Sequence, residues 1–91
     1  MALGIYFAHV GFTPEKYRDV IKQLDEAGAG APKGRTYHVA LESDGAIQVF
    51  DIWESQEEVD AFAATLKPIL AEAGVEQEAP MTGTVLNVIL G

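Results

Sequence analysis

The chain has 91 residues, 48% of them hydrophobic, and no cysteine, which is enough for one domain over residues 1–91 but supplies no disulfide or thiolate metal site to reinforce it. Fourteen acidic residues against six basic ones give a formal charge of -8, a surface that repels phosphate backbones and anionic lipid headgroups and so excludes nucleic acid and membrane surfaces as partners. No apolar run reaches the roughly 18 residues of a membrane span, and Met1-Ala2-Leu3-Gly4-Ile5 has no basic leader region. A cytoplasmic protein is expected.

In chain order, Leu3 to Val10 is rich in β-branched and aromatic residues and is bounded by Gly11, which predicts a first strand. Thr13 followed by Pro14 is a helix start, because the threonine side chain caps free amides and proline has no N–H to leave unpaired. Tyr17, Val20, Ile21 and Leu24 then recur at helical spacing as a buried stripe, and Gly28 ends the helix. The segment from Gly28 to Gly34 is a loop. Its three glycines fit neither the Walker nor the dinucleotide spacing, so it is not read as a phosphate site.

Thr36 to Glu42 and Ala46 to Trp53 are two strands joined by Asp44-Gly45, a pair suited to the left-handed conformations of a two-residue hairpin turn. That turn sets a register in which Ser43 faces Ala46, Ala40 faces Val49, His38 faces Asp51 and Thr36 faces Trp53. Ser55-Gln56-Glu57-Glu58 is a capping box that opens a second helix. Val59, Phe62, Ala63, Leu66, Ile69, Leu70 and Ala73 form its buried side, and Gly74 is its left-handed stop. Glu76 to Pro80 is a polar linker, and Thr84 to Leu90 is expected as the last strand. The order β-α-β-β-α-β predicts an α+β, ferredoxin-like domain: a four-stranded antiparallel sheet with two helices on one face.

Side chains alternate along a strand, so each strand divides into two sets. Tyr37, Val39, Leu41, Phe50 and Ile52 form one nearly unbroken apolar set; Thr36, His38, Ala40, Ile47, Val49, Asp51 and Trp53 form the other. Helices cover only one side of a four-stranded sheet. The second apolar side therefore predicts a homodimer through the sheet face, hiding about 800 Å² per subunit if it is of ordinary size.

The hairpin register places His38 opposite Asp51, with Cβ atoms about 4.5–5.5 Å apart. A carboxylate at that separation holds one imidazole nitrogen and leaves the other free, so His38 is the candidate base and Asp51 its orienter. The plainer reading of the pair is a structural hydrogen bond that satisfies two buried polar groups and fixes the register. Trp53, two residues along the same face, and the small side chains of Ala40 and Val49 suggest a pocket for a small apolar or aromatic ligand. Tyr6, Phe62 and Asn87 complete the candidate ligand contacts, although the sequence leaves open which set of the first strand meets the helices. His9, His38 and Asp51 have no local ligand spacing, so no metal is expected.

The strand Val49-Phe50-Asp51-Ile52-Trp53-Glu54-Ser55 followed by Phe62, together with Tyr37-His38-Val39, resembles the dimeric α/β-barrel superfamily, in particular the small antibiotic biosynthesis monooxygenase-like proteins. The resemblance implies two sheets packed face to face across a dimer, with a cavity in each subunit between sheet and helices. It implies cofactor-independent oxidation of phenolic or polyketide-like compounds, in which the protein deprotonates the substrate and the carbanion reduces oxygen. It also matches Trp53 to a cavity tryptophan and His38 to a strand that supplies a polar cavity residue.

The sequence departs from that pattern at Val49, where such monooxygenases place an asparagine, and at Val59, where a tyrosine would stand. Helix two has no histidine between Glu57 and Glu72, so haem is not expected, and no other cofactor is. The expected function is therefore small-molecule binding, with cofactor-independent monooxygenation as the implied activity. A non-catalytic homodimer and a cyclase or isomerase using the same base are the alternatives.

Overall fold

A computed structural model describes residues 2–91. The elements run β1 (Leu3–Ala8), α1 (Pro14–Glu26), β2 (Arg35–Ser43), β3 (Ala46–Trp53), α2 (Gln56–Glu72) and β4 (Met81–Thr84). The strands form one sheet in the order β2-β3-β1-β4, with every neighbouring pair antiparallel. Both helices lie on one side of it, which is the ferredoxin-like arrangement.

Local chemistry places each boundary. Thr13 Oγ1 accepts from the Lys16 amide at 3.3 Å, and Pro14 opens α1. Ser55 caps α2 by accepting from the Glu58 amide at 3.3 Å, but the Glu58 carboxylate takes the Ser55 hydroxyl at 2.9 Å. A capping box would have sent it to the backbone of the cap. The helix runs through Pro68 to Glu72. Asp44 and Gly45 both have positive φ, 52° and 80°, as the hairpin turn requires.

The helix-facing side of the sheet carries the core. Val20 and Leu24 of α1 and Leu70 of α2 pack with Ile47 and Val49 of β3, closed at one end by Phe12 and Val75. The question left open for β1 is resolved by burial: Ile5 is 2% exposed and faces the helices, so Tyr6 faces the other way.

Two boundaries differ from expectation. The last strand is Met81–Thr84, several residues earlier than Thr84 to Leu90. The pairing runs Tyr6↔Met81 to Leu3↔Thr84, and a final bond joins the Val85 amide to the Ala2 carbonyl at 3.0 Å. Beyond that point no further ladder is found among the described residues, so Leu86 to Leu90 have strand composition but no strand to pair with. Leu86 and Leu90 are left 93% and 82% exposed.

The other difference is at the start of β2. Ser43 faces Ala46, Ala40 faces Val49 and His38 faces Asp51 as the turn dictates, but a bulge between Arg35 and Tyr37 sets Arg35, not Thr36, opposite Trp53. Gly34 precedes the bulge at φ +90°, a conformation suited to glycine. A Cβ there would lie within van der Waals overlap of the Glu58 carboxylate. The Gly34 carbonyl accepts from the Glu54 amide at 2.8 Å, which ties the start of β2 to the end of β3.

Candidate functional site

The register brings His38 and Asp51 into contact: Nδ1 of the imidazole lies 2.5 Å from Asp51 Oδ1. The Asp51 side chain is 5% exposed and that of His38 23%. The other ring nitrogen is occupied as well. Tyr17 Oη of α1 lies 2.8 Å from His38 Nε2, and the two rings are stacked, 5° from parallel.

A carboxylate only accepts hydrogen bonds, so a neutral His38 imidazole carries its proton on Nδ1 and accepts from the Tyr17 hydroxyl at Nε2. Donation thus runs in one direction, from Tyr17 through His38 to Asp51. Burial raises the Tyr17 phenol above its ordinary value; the nearby Arg35 charge pulls it back, and the Asp51 carboxylate adds to the rise. The phenol is therefore a proton donor in the resting site.

This trio lines a cavity of about 50 Å³ closed by Phe12, Val20, Leu24 and Val49. A second cavity of about 500 Å³ lies between the sheet, α2 and the segment before β4, with Trp53 and Val59 in its wall. Phe7, His9, Asp51, Phe62, Leu66 and Leu70 border both. Trp53 is 1% exposed and packs on Phe62 with ring centroids 5.3 Å apart. Its indole N–H is buried and has no hydrogen-bond partner among the described residues.

Of the residues singled out from sequence, His38, Asp51, Trp53 and Phe62 are brought to this side. Tyr6 and Asn87 are not. Tyr6 has the opposite parity on β1 and donates to Gln48 Oε1 at 2.7 Å on the helix-free face. Asn87 follows β4 in the exposed tail and borders a cleft on that same face. The way β1 and the tail lie thus places both residues on the face away from the His38 cavity.

Tyr17 and Arg35 join the site without having been anticipated. Tyr17 sits in the apolar stripe of α1 that the helical spacing predicts. The available signal was its hydroxyl, which needs a partner when buried. Arg35 shares the parity of Tyr37 and Val39, and only the bulge brings it to the helix side.

His9 borders both cavities and is 8% exposed. Its Nδ1 accepts from the Glu78 amide at 3.2 Å, fixing the segment before β4 against the end of β1. Burial lowers its pKa, with the Glu78 charge opposing. Protonation would place a hydrogen on Nδ1 and break that bond. A histidine with a depressed native value contributes stability fully above its ordinary pKa of about 6.5, and the contribution is lost as pH falls through the native value. Between pH 8 and 5 the melting temperature of the wild type is expected to fall more than that of His9→Gln in calorimetry; parallel curves would contradict this. Among the described residues no group of three His, Cys, Asp or Glu side chains is placed to hold a metal ion, and no helix is long and apolar enough to cross a membrane.

No protein-family model and no curated protein matches the sequence. Solved structures match throughout. A protein from Chloroflexus aurantiacus J-10-fl described as an antibiotic biosynthesis monooxygenase is 16% identical with a TM-score of 0.66, over 98% of this chain and 97% of that one. SnoaB, a cofactor-independent oxygenase from Streptomyces nogalater, is 14% identical with a TM-score of 0.60, over 97% and 93%. NE2512, a protein of unknown function from Nitrosomonas europaea, is 19% identical with a TM-score of 0.60, over 99% and 92%. The fold is that of the antibiotic biosynthesis monooxygenase-like proteins. At these identities the likeness concerns the fold, and the chemistry has to be argued from the site.

Proposed function

We propose that this protein binds a small phenolic or polyketide-like compound beside the relay and oxidises it as a cofactor-independent monooxygenase. The observation that carries the reading is the one-way hydrogen-bond chain Tyr17–His38–Asp51 in the wall of an apolar cavity. Support also comes from the unpartnered indole N–H of Trp53, since a buried donor is costly until an acceptor reaches it.

The chain supports a proton path. As the substrate gives up a proton to Tyr17 Oη, the Tyr17 hydroxyl proton passes to His38 Nε2, and the imidazolium that forms is held by Asp51. The substrate carbanion then gives an electron to dioxygen, and the two recombine through a new C–O bond. The peroxide anion so formed takes the proton back from His38 through Tyr17, and loss of water then leaves a carbonyl where a CH₂ stood: one oxygen atom ends in the product and the other in water. His38 is thus the ultimate base, acting through Tyr17.

Oxygen uptake with a panel of phenols from 1-naphthol to trihydroxyanthracenes tests this. The wild type is expected to consume one dioxygen per product, and His38→Ala to lose turnover while retaining phenol binding. Turnover that survives in His38→Ala, or a wild type inert to the whole panel, would overturn the assignment. Conversion without oxygen uptake would favour a cyclase or isomerase built on the same relay.

The same reading includes a homodimer. The helix-free face presents Tyr37, Leu41 and Phe50 to solvent, and the exposed tail from Leu86 to Leu90 extends its apolar surface. The cleft between tail and sheet, about 780 Å³, has no charged residue in its lining. A second copy brings another charge of -8, so an uncharged face is where two copies approach with least repulsion. A twofold pairing there closes the two sheets into a barrel without leaving a sticky surface.

A further inference from the structure

Arg35 is placed unusually for a cation in so acidic a chain. Strand alternation assigns it to the helix-free face with Tyr37 and Val39, but the bulge at Thr36 turns it to the helix side. Bulges re-aim side chains in this way beside functional sites. There its guanidinium carbon stands 5.8 Å from the centroid of Phe62, and Nη2 donates to the Gly30 carbonyl at 3.2 Å. The residue borders the cavity of Tyr17, His38 and Asp51.

Among the described residues no carboxylate lies within ion-pairing distance of its charge. Fourteen carboxylate side chains are present, yet the carboxylate contact at ion-pairing distance found among the described residues is that of Asp51 with the His38 imidazole; Asp25 stands beside Gly30. Glu58 packs against Gly34, one residue away, and its carboxylate accepts from Ser55. A guanidinium held by one carbonyl and one ring has several N–H donors left over. Donors in a fixed planar fork suit an oxyanion.

We infer that Arg35 is an anion subsite and that the ligand is an acid: a planar aromatic or polyketide-like body bearing a carboxylate, or an enol or phenol that ionises in the site. The inference rests on the proposed relay for its setting, and it names the substrate class. If the relay removes a phenolic or enolic proton, Arg35 stabilises the anionic end of the ligand at the small cavity, with the ligand body in the adjoining cavity of about 500 Å³ that shares Asp51 and Phe62 with it. The apolar walls strengthen that attraction by excluding water. The bulge, Gly34 and the Phe62 ring hold the guanidinium in position, so the subsite is preorganised.

Calorimetric titration with benzoate and its neutral isostere benzamide tests the inference without requiring turnover. The wild type is expected to prefer benzoate by about tenfold or more, as a charge-assisted contact implies. Arg35→Gln should lower benzoate affinity to the level of benzamide and leave benzamide unchanged, while Arg35→Lys, which keeps the charge without the fork, should recover part of the preference. No benzoate preference in the wild type overturns the subsite, as does a preference that persists in Arg35→Gln. A parallel fall for both ligands in a folded Arg35→Gln assigns the residue a packing role and likewise overturns it. Oxygen uptake without an anion preference would remove Arg35 and keep the relay; an anion preference without turnover would do the reverse.

Discussion

Asp51→Asn is expected to reduce turnover by about 10²–10⁴-fold, the usual contribution of a positioned acid–base group, with little change in ligand affinity. The carboxylate is nearly buried and holds His38 Nδ1 at 2.5 Å. An amide of the same shape offers an N–H as well as a carbonyl. Donation from that N–H to Nδ1 would move the imidazole proton to Nε2, where it would face the Tyr17 hydroxyl and block proton transfer from it. The variant retains the volume of Asp51, so its stability should change by only about 1 kcal/mol. Nitrogen-15 spectra of the imidazole provide a readout that needs no substrate: the wild type should show the Nδ1–H tautomer and Asp51→Asn a shift toward Nε2–H. Unchanged turnover together with the changed tautomer would leave the pair a purely structural bond.

Assembly gives the second large effect. At tens of micromolar the wild type is expected to sediment at twice the chain mass, and Phe50→Glu at the mass of a single chain. Phe50 lies at the centre of the helix-free face, edge-on to Tyr37 with ring centroids 6.5 Å apart. A carboxylate on each of two facing copies would be buried and unpaired, which costs several kcal/mol per ion. Far-ultraviolet dichroism checks that the variant is folded. Truncation after Val85 should weaken the dimer independently, because it removes the exposed Leu86, Ile89 and Leu90 without touching the β1–β4 ladder. A wild type that sediments as a monomer would remove the barrel and leave the relay standing within one chain.

The two cavities and the relay explain why departures from the monooxygenase pattern need not leave the site without polar chemistry. Val49 is buried and borders the small cavity, where the resemblance would place an asparagine. The polar groups come instead from β2 and α1, as His38 and Tyr17, together with Asp51 of β3. Val59 borders the larger cavity, whose wall is mostly apolar.

Much of this was legible because the signals are local. Thr13-Pro14 and Ser55 to Glu58 mark helix starts by the hydrogen bonds their own side chains make, and Asp44-Gly45 sets a hairpin register by the conformations those residues tolerate. The register carries His38 to Asp51 with no knowledge of the rest of the chain. The alternation of β2 and β3 likewise separates an apolar helix-free face from the face that holds the pair. Tertiary structure decided what depends on contacts between distant segments. The end of the β4 ladder is set by how far β1 extends, so a strand-like composition in the tail could not foretell it. Tyr6 and Asn87 are assigned to the far face by the direction in which β1 and the tail pack. Tyr17 meets His38 only when α1 lies across the sheet, and Arg35 enters the cavity only through a bulge, where a single extra residue reverses the parity that the sequence pattern implies.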